Sequence, residues 1–198
     1  MSDLAEVSRA AREEHYRDQL GPLTEPVMRS RDGKDPAVDV YSFPPNELRD
    51  HWTFITGGMS DRRQALPEEA PELFARRTEL LMYGAGAETW RLYALKLLAE
   101  YPFDLGTWIH AWHSVDAGAP LASGSQLSAF FLLPPAMEDP QSFDRLVIEG
   151  EPVNILWVVP ITAAEQGFAL KNGPQALEEI LYEADFEVLL DAGRKSLV

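Results

Sequence analysis

The chain of 198 residues carries 32 Asp and Glu against 17 Lys and Arg, a formal net charge of −15 at pH 7, and 45% of it is apolar. That is the length of one large domain or two small ones with ordinary globular hydrophobicity, and its acidic field repels phosphate backbones and attracts basic partners. Cysteine is absent, which excludes disulfides, thiolate metal sites and a Cys nucleophile, and suits a reducing compartment.

Met1 to Glu6 is mixed and charged and lacks the basic start and apolar stretch of a signal peptide. No apolar run approaches the roughly 20 residues that span a bilayer. A soluble, cytoplasmic protein with neither nucleic acid nor membrane as partner is expected.

In chain order, residues 3–20 read as a helix with Ser2 as N-cap. Leu4, Val7 and Ala11 share one face, and Gly21-Pro22 ends it. Its polarity predicts a peripheral position. Residues 25–60 read as strands: Val27 to Arg29, a turn at Asp32-Gly33, a run around Val38 to Phe43, and His51 to Thr56 stopped by Gly57-Gly58. In the last of these Trp52 and Phe54 share a face. An acidic, Arg-containing loop with Pro67 and Pro71 leads to a strand from Thr78 to Tyr83.

The clearest helix is 88–101. Trp90, Tyr93, Ala94, Leu97, Leu98 and Tyr101 recur at helical spacing and are expected in the core, with Pro102 as the stop. Residues 107–133 begin irregularly and become a strand from Gln126 to Leu133, ended by Pro134-Pro135. Phe143 to Ile148 and Val153 to Val159 flank the turn Glu149-Gly150-Glu151. The second run is apolar throughout and predicts a central strand buried on both faces. Thr162 opens a helix to about Leu170, Pro174 stands at N1 of another through Tyr182, and Phe186 to Leu190 reads as a last strand. Hairpin-length gaps between many strands favour an α+β fold, a mixed but largely antiparallel central sheet with helices packed on it, in one domain over 1–198.

Chemistry-bearing motifs are sparse. His110-x-x-His113 with Asp116 offers two nitrogens where a stable metal site needs three or four converging ligands. With Trp108 and Trp112 around it, a half-buried aromatic cluster is the simpler reading. Ser60-Asp61 follows two glycines but has Arg62 where a nucleophile elbow needs Gly. Gly84-Ala85-Gly86-Ala87 joins a strand to a helix without the Lys of a phosphate loop. No catalytic residues, metal or cofactor are therefore assigned.

Longer stretches carry a resemblance. They are Asp39-Val40-Tyr41, His51-Trp52-Thr53-Phe54-Ile55-Thr56-Gly57-Gly58-Met59-Ser60-Asp61, Glu79-Leu80-Leu81-Met82-Tyr83, and Trp90 with Leu97-Leu98-Ala99. Trp112-His113, Phe130 to Pro135, Asn154 to Glu165 and Ala176-Leu177-Glu178 complete the set. In order and spacing, from about residue 36 to 198, these resemble the suppressor-of-fused-like domain, single-domain bacterial type. The resemblance implies a module that binds a partner protein. In animals the family restrains Gli transcription factors by gripping a peptide through strand addition between two lobes, of which this chain resembles the first. Single-domain bacterial relatives are proposed immunity proteins, and an acidic chain suits a basic toxin or peptide segment.

The resemblance also implies partner contacts at Phe54, Asp61, Trp112 and His113. At position 54 the animal protein presents Tyr, so a hydroxyl is missing here, whereas Asp61 is retained. A regulatory or immunity-type binding protein is thus the expected function. The runner-up is an enzyme with a site near Asp61, His110 and His113, and a third reading is a scaffold that only oligomerises.

Overall fold

The computed structural model describes residues 2–23, 27–31, 33–47, 49–70, 74–139, 143, 145–184, 189 and 191–198. The elements are α1 (Ser2–Leu20), β1 (Asp39–Phe43), β2 (Trp52–Gly57), a 3-10 turn at Met59–Asp61, β3 (Arg77–Gly84) and α2 (Thr89–Leu105). There follow β4 (Ser114–Asp116), β5 (Leu127–Leu133), β6 (Val147–Ile148), β7 (Glu151–Thr162), α3 (Ala163–Asn172) and α4 (Pro174–Glu183). One seven-stranded sheet runs β1-β2-β3-β7-β5-β4, with β6 paired to β7. Among the described residues only β3 and β7 pair in parallel; the other pairs are antiparallel.

The central position of β7 follows from its sequence. Val153, Ile155, Trp157, Val159 and Ile161 point to one face and Leu156 and Val158 to the other, and all are buried. Alternation along every strand thus builds two cores. On one face Tyr16 and Leu20 of α1, Ala169 of α3 and Leu177 and Leu181 of α4 close over the sheet. On the other, Ala94, Leu95, Leu98 and Ala99 of α2 do so. Thr162 caps α3 with a capping box: its hydroxyl accepts from the Glu165 amide while Glu165 accepts from the Thr162 amide.

Several expected details change. In α1 Leu4 and Val7 face solvent, while Ser8, Arg12, Tyr16 and Leu20 are buried at successive i+4 steps. The helix is not peripheral: Tyr16 and Leu20 enter the apolar core, while Tyr16 donates to the Thr56 carbonyl at 2.7 Å and Arg12 meets two carboxylates. The helix includes Ser2, so Ser2 is not its cap.

In α2 the buried stripe is Arg91, Ala94, Leu95, Leu98, Ala99 and Pro102, and Tyr93 and Leu97 are exposed. Pro102 does not end α2. It lies in the last turns, where the helix runs on to Leu105 and closes at Gly106 in the left-handed region. Only Val147 and Ile148 of the expected 143–148 strand pair with β7. A short strand at 114–116 was not foreseen. Asp32, Pro71 and most of 186–190 lie outside the described residues.

The Gly57-Gly58 stop has a steric cause. A Cβ at Gly57 would sit 2.6 Å from the Tyr41 ring, and one at Gly58, where φ is 111°, would sit 2.3 Å from the Ala37 carbonyl oxygen. The Tyr41 ring and the Ala37 carbonyl oxygen occupy the space that a side chain at these positions would need.

Candidate partner-binding edge

The glycine pair turns the chain so that Gly58 and Ser60 aim their amides at one buried carboxylate, Glu79. Its Oε1 accepts from the amides of Gly58 (3.0 Å) and Ser60 (2.9 Å) and from the Ser60 hydroxyl (2.6 Å); its Oε2 accepts from the Thr56 hydroxyl (2.6 Å). The Arg12 guanidinium lies beside it at 3.7 Å and grips both oxygens of Asp61, one of them at 3.2 Å. Asp61 therefore fastens α1 to the sheet, with 27% of its side chain still exposed. Phe54 is buried at 2% exposure on the α2 face, its ring parallel to Trp52 at 6.2 Å. A partner reaching this point would touch Trp52 before Phe54.

Trp112 and His113 lie at the other side of the sheet, leading into β4, with β3, β7 and β5 between β4 and β2. The structure brings these two together with His110 and separates them from Phe54 and Asp61. His110 stacks on Phe74 at 4.0 Å, and His113 stands edge-on to Trp108 at 4.5 Å. Burial holds both imidazoles below their ordinary pKa, and His113 is lowered further by its neighbour His110. Both are therefore neutral at pH 7, as aromatic members of a packed cluster. Among the described residues no group of three His, Asp or Glu is arranged to hold a metal, and no helix is long and apolar enough to cross a membrane.

Gln64 ties the Asp61 loop to this segment: its side chain accepts from the Ile109 amide at 2.8 Å and donates to the Thr78 hydroxyl at 2.8 Å. Sequence reasoning missed Gln64 and Arg12, and it took Glu79 and Glu178 only as members of stretches that carry the resemblance, without a role of their own. Glu79 left a further signal, as a lone charge inside an apolar strand.

β4 ends the sheet. It pairs with β5 through Ser114↔Phe131, Val115↔Phe130 and Asp116↔Ala129, and no described strand lies on its outer side. Ala117 donates to Ser128 at 2.9 Å. By antiparallel alternation the backbone groups of Val115 also face β5, and those of Ser114 and Asp116 point outward. Beside this edge lies a hollow of about 260 Å³ lined by Trp112, His113, Ser114, Ala169, Leu170 and Pro174.

A second cavity, about 410 Å³, begins where β5 leaves the sheet at Pro134. Described pairing of β5 with β7 stops at Leu133↔Trp157, and β6 joins β7 only at Glu151 and Pro152. Asn154, Ile155 and Leu156 line the cavity together with His110, Ala111 and Trp112. Trp112 is a wall of both spaces. It is 37% exposed, its backbone lies in the left-handed region (φ 66°), and its indole N–H donates to Glu178 at 2.7 Å. A bulky side chain at positive φ is a genuine outlier that its surroundings must hold in place.

Comparison with known proteins gives the family. No curated protein matches the chain. Solved structures do. A SUFU homologue of Neisseria gonorrhoeae FA 1090 superposes with a TM-score of 0.72 at 18% identity, covering 100% of this chain and 98% of that one. A chain from the Sufu–Fu complex gives 0.61 at 15% identity, over 98% and 91%. Drosophila Suppressor of Fused gives 0.62 at 17% identity, over 95% of this chain and 50% of that one. At these identities the structures establish a shared fold. The family model for Suppressor of fused protein (SUFU) matches residues 34–195, and on that match the chain belongs to the SUFU family.

Proposed function

We propose that this protein is a regulatory or immunity-type binding module, cytoplasmic and not an enzyme, that restrains a partner protein by accepting an extended segment of it along the outer edge of β4. The observation that carries the reading is that edge: outward N–H and C=O groups at Ser114 and Asp116, and apolar hollows beside them that a neighbouring strand's side chains can fill. Strand addition draws affinity from backbone hydrogen bonds and specificity from such hollows. One of the similar structures is itself a Sufu–Fu complex, which supports a protein as the partner. The net charge of −15 favours a basic one, such as a cationic toxin or a Lys/Arg-rich segment.

Ser114→Pro tests this. Proline at an edge strand removes an outward N–H without breaking an inner ladder bond. Immobilised wild-type protein is expected to retain a specific protein from lysate of the source organism, more weakly as salt rises. The variant is expected to retain at least about tenfold less while unfolding within about 1 kcal/mol of wild type. Equal retention by the variant would count against the β4 edge.

A further inference from the structure

The apolar run at Trp90, Tyr93, Leu97 and Tyr101 of α2 does not all enter the core. Tyr93 and Leu97 expose more than half of their surface, as does Leu105 at the end of the helix, while Trp90 and Tyr101 pack half-buried beside the buried stripe. Among the described residues α2 is the only α-helix on that face of the sheet, since α1, α3 and α4 pack on the other. An outer helix ordinarily turns polar residues to solvent. A line of large apolar ones along it marks a contact surface.

The spacing of the run says what covers it. Trp90, Tyr93, Tyr101 and Leu105 stand at i−7, i−4, i+4 and i+8 from Leu97, so the run reads nearly alike in both directions. An isologous dimer needs such a self-complementary patch. We propose that α2 pairs with α2 of a second copy of this chain, antiparallel, about a twofold axis at Leu97. Leu97 then meets its own copy, and Trp90 and Tyr93 of each chain lie beside Tyr101 and Leu105 of the other. Charge fits this occupant too. Lys96 and Glu100 form an i,i+4 pair at 3.1 Å on one flank of the run, and the half turn sets each beside the opposite charge of the second copy.

The strip offered by a 17-residue helix, about 25 Å long, is smaller than the roughly 800 Å² per partner of a stable complex. Two chains of charge −15 also repel. The dimer is therefore weak and reversible, with a Kd on the order of 10–100 µM, and salt tightens it by screening that repulsion. The proposal stands apart from strand addition. α2 lies over β1, β2 and β3, and β4 is at the far end of the sheet, so the dimer leaves both β4 edges open and presents two of them.

Sedimentation equilibrium of the full chain, from about 1 to 300 µM at about 0.05 and 0.5 M NaCl, tests this. Wild type is expected to pass from monomer to dimer over that range, at several-fold lower concentration in the higher salt. Leu97→Glu, at an exposed position, is expected to stay monomeric with wild-type thermal unfolding in dilute solution. The chain has no cysteine, so single cysteines locate the axis. Under mild oxidation Leu97→Cys is expected to cross-link to its own copy at least about tenfold faster than Tyr93→Cys, whose two copies stand about 12 Å apart along the helices. A wild-type chain monomeric throughout, or a dimer undiminished by Leu97→Glu, would overturn the proposal and leave strand addition untouched. So would cross-linking of Leu97→Cys no faster than that of Tyr93→Cys or of Leu170→Cys, an exposed leucine elsewhere.

Discussion

Replacing Glu79 by alanine will cost the fold about 3–5 kcal/mol, the largest single-residue effect on the α1 side of the sheet. Glu79 is fully buried and accepts hydrogen bonds from two backbone amides and two hydroxyls. Removing it leaves the two amides unpaired in a dry place, each worth about 1–3 kcal/mol, while the two hydroxyls can turn to other acceptors. It also takes one of two counter-charges from Arg12, which is 4% exposed. Asp61 remains to hold Arg12, so α1 should loosen rather than detach. Urea unfolding of the variant, with limited proteolysis inside residues 4–20, measures both effects. A loss under 1 kcal/mol would mean that water replaces the carboxylate, contrary to the burial found here.

The second large effect is pH-dependent. Glu165 accepts from the Thr162 amide (2.7 Å), both terminal nitrogens of Arg194 (2.6 and 2.7 Å) and the Leu197 amide (3.1 Å). It both caps α3 and pins the C-terminal segment. Burial pushes its carboxyl up, but the Arg194 hydrogen bonds and the amides outweigh it, and the net pKa lies below the ordinary 4.5.

A carboxylate whose folded pKa is depressed stabilises the fold above its unfolded value. That contribution is lost as pH falls from about 4.5 through the lower folded value. Glu165→Gln should therefore cost about 2–3 kcal/mol at pH 7, as removal of one partner from a buried charge-assisted cluster does. The deficit should shrink steadily below pH 4.5, where the wild-type carboxyl protonates too. Thermal unfolding of both proteins across pH 3 to 7 checks it; a deficit independent of pH would remove the carboxylate charge from the explanation.

What was legible in the sequence divides by the range of the interaction that decides it. The apolar run of β7 announced a strand buried on both faces, and Thr162 announced the start of α3, because both signals are local. Both long helices were placed. In α2 Ala94 and Leu98 of the expected stripe are buried and Trp90 and Tyr101 pack half-buried against the same core, while Tyr93 and Leu97 face solvent and Leu95 and Ala99 are buried instead. Periodicity allows either flank, and only the sheet chooses.

Arg91 fits the buried stripe because its Nε donates to the Tyr83 carbonyl at 3.1 Å and its guanidinium pairs with Glu88. In α1 polarity predicts a peripheral helix, whereas Arg12 and Tyr16 dock; the sequence hides this because their partners Asp61, Glu79 and Thr56 lie more than 30 positions away in the chain. β4, three residues long, is too short to carry a period. Trp112 and His113 were legible as an aromatic cluster around His110-x-x-His113, and as partner contacts only through the family resemblance. Glu178 stood in the sequence only as part of Ala176-Leu177-Glu178, one of the stretches that carry the resemblance, and Gln64 left no signal, because the contacts of both form only once the sheet is assembled.

The central claim is that a partner adds to the outer edge of β4. Amide hydrogen exchange at single-residue resolution, compared between the free chain and its complex with a captured partner, tests it most directly. The account predicts that Ser114 and Asp116, whose N–H groups face outward, slow by about a hundredfold or more in the complex, while Val115, already bonded to β5, changes little. Unchanged exchange at Ser114 and Asp116 in a saturated complex, with protection appearing elsewhere, would contradict it.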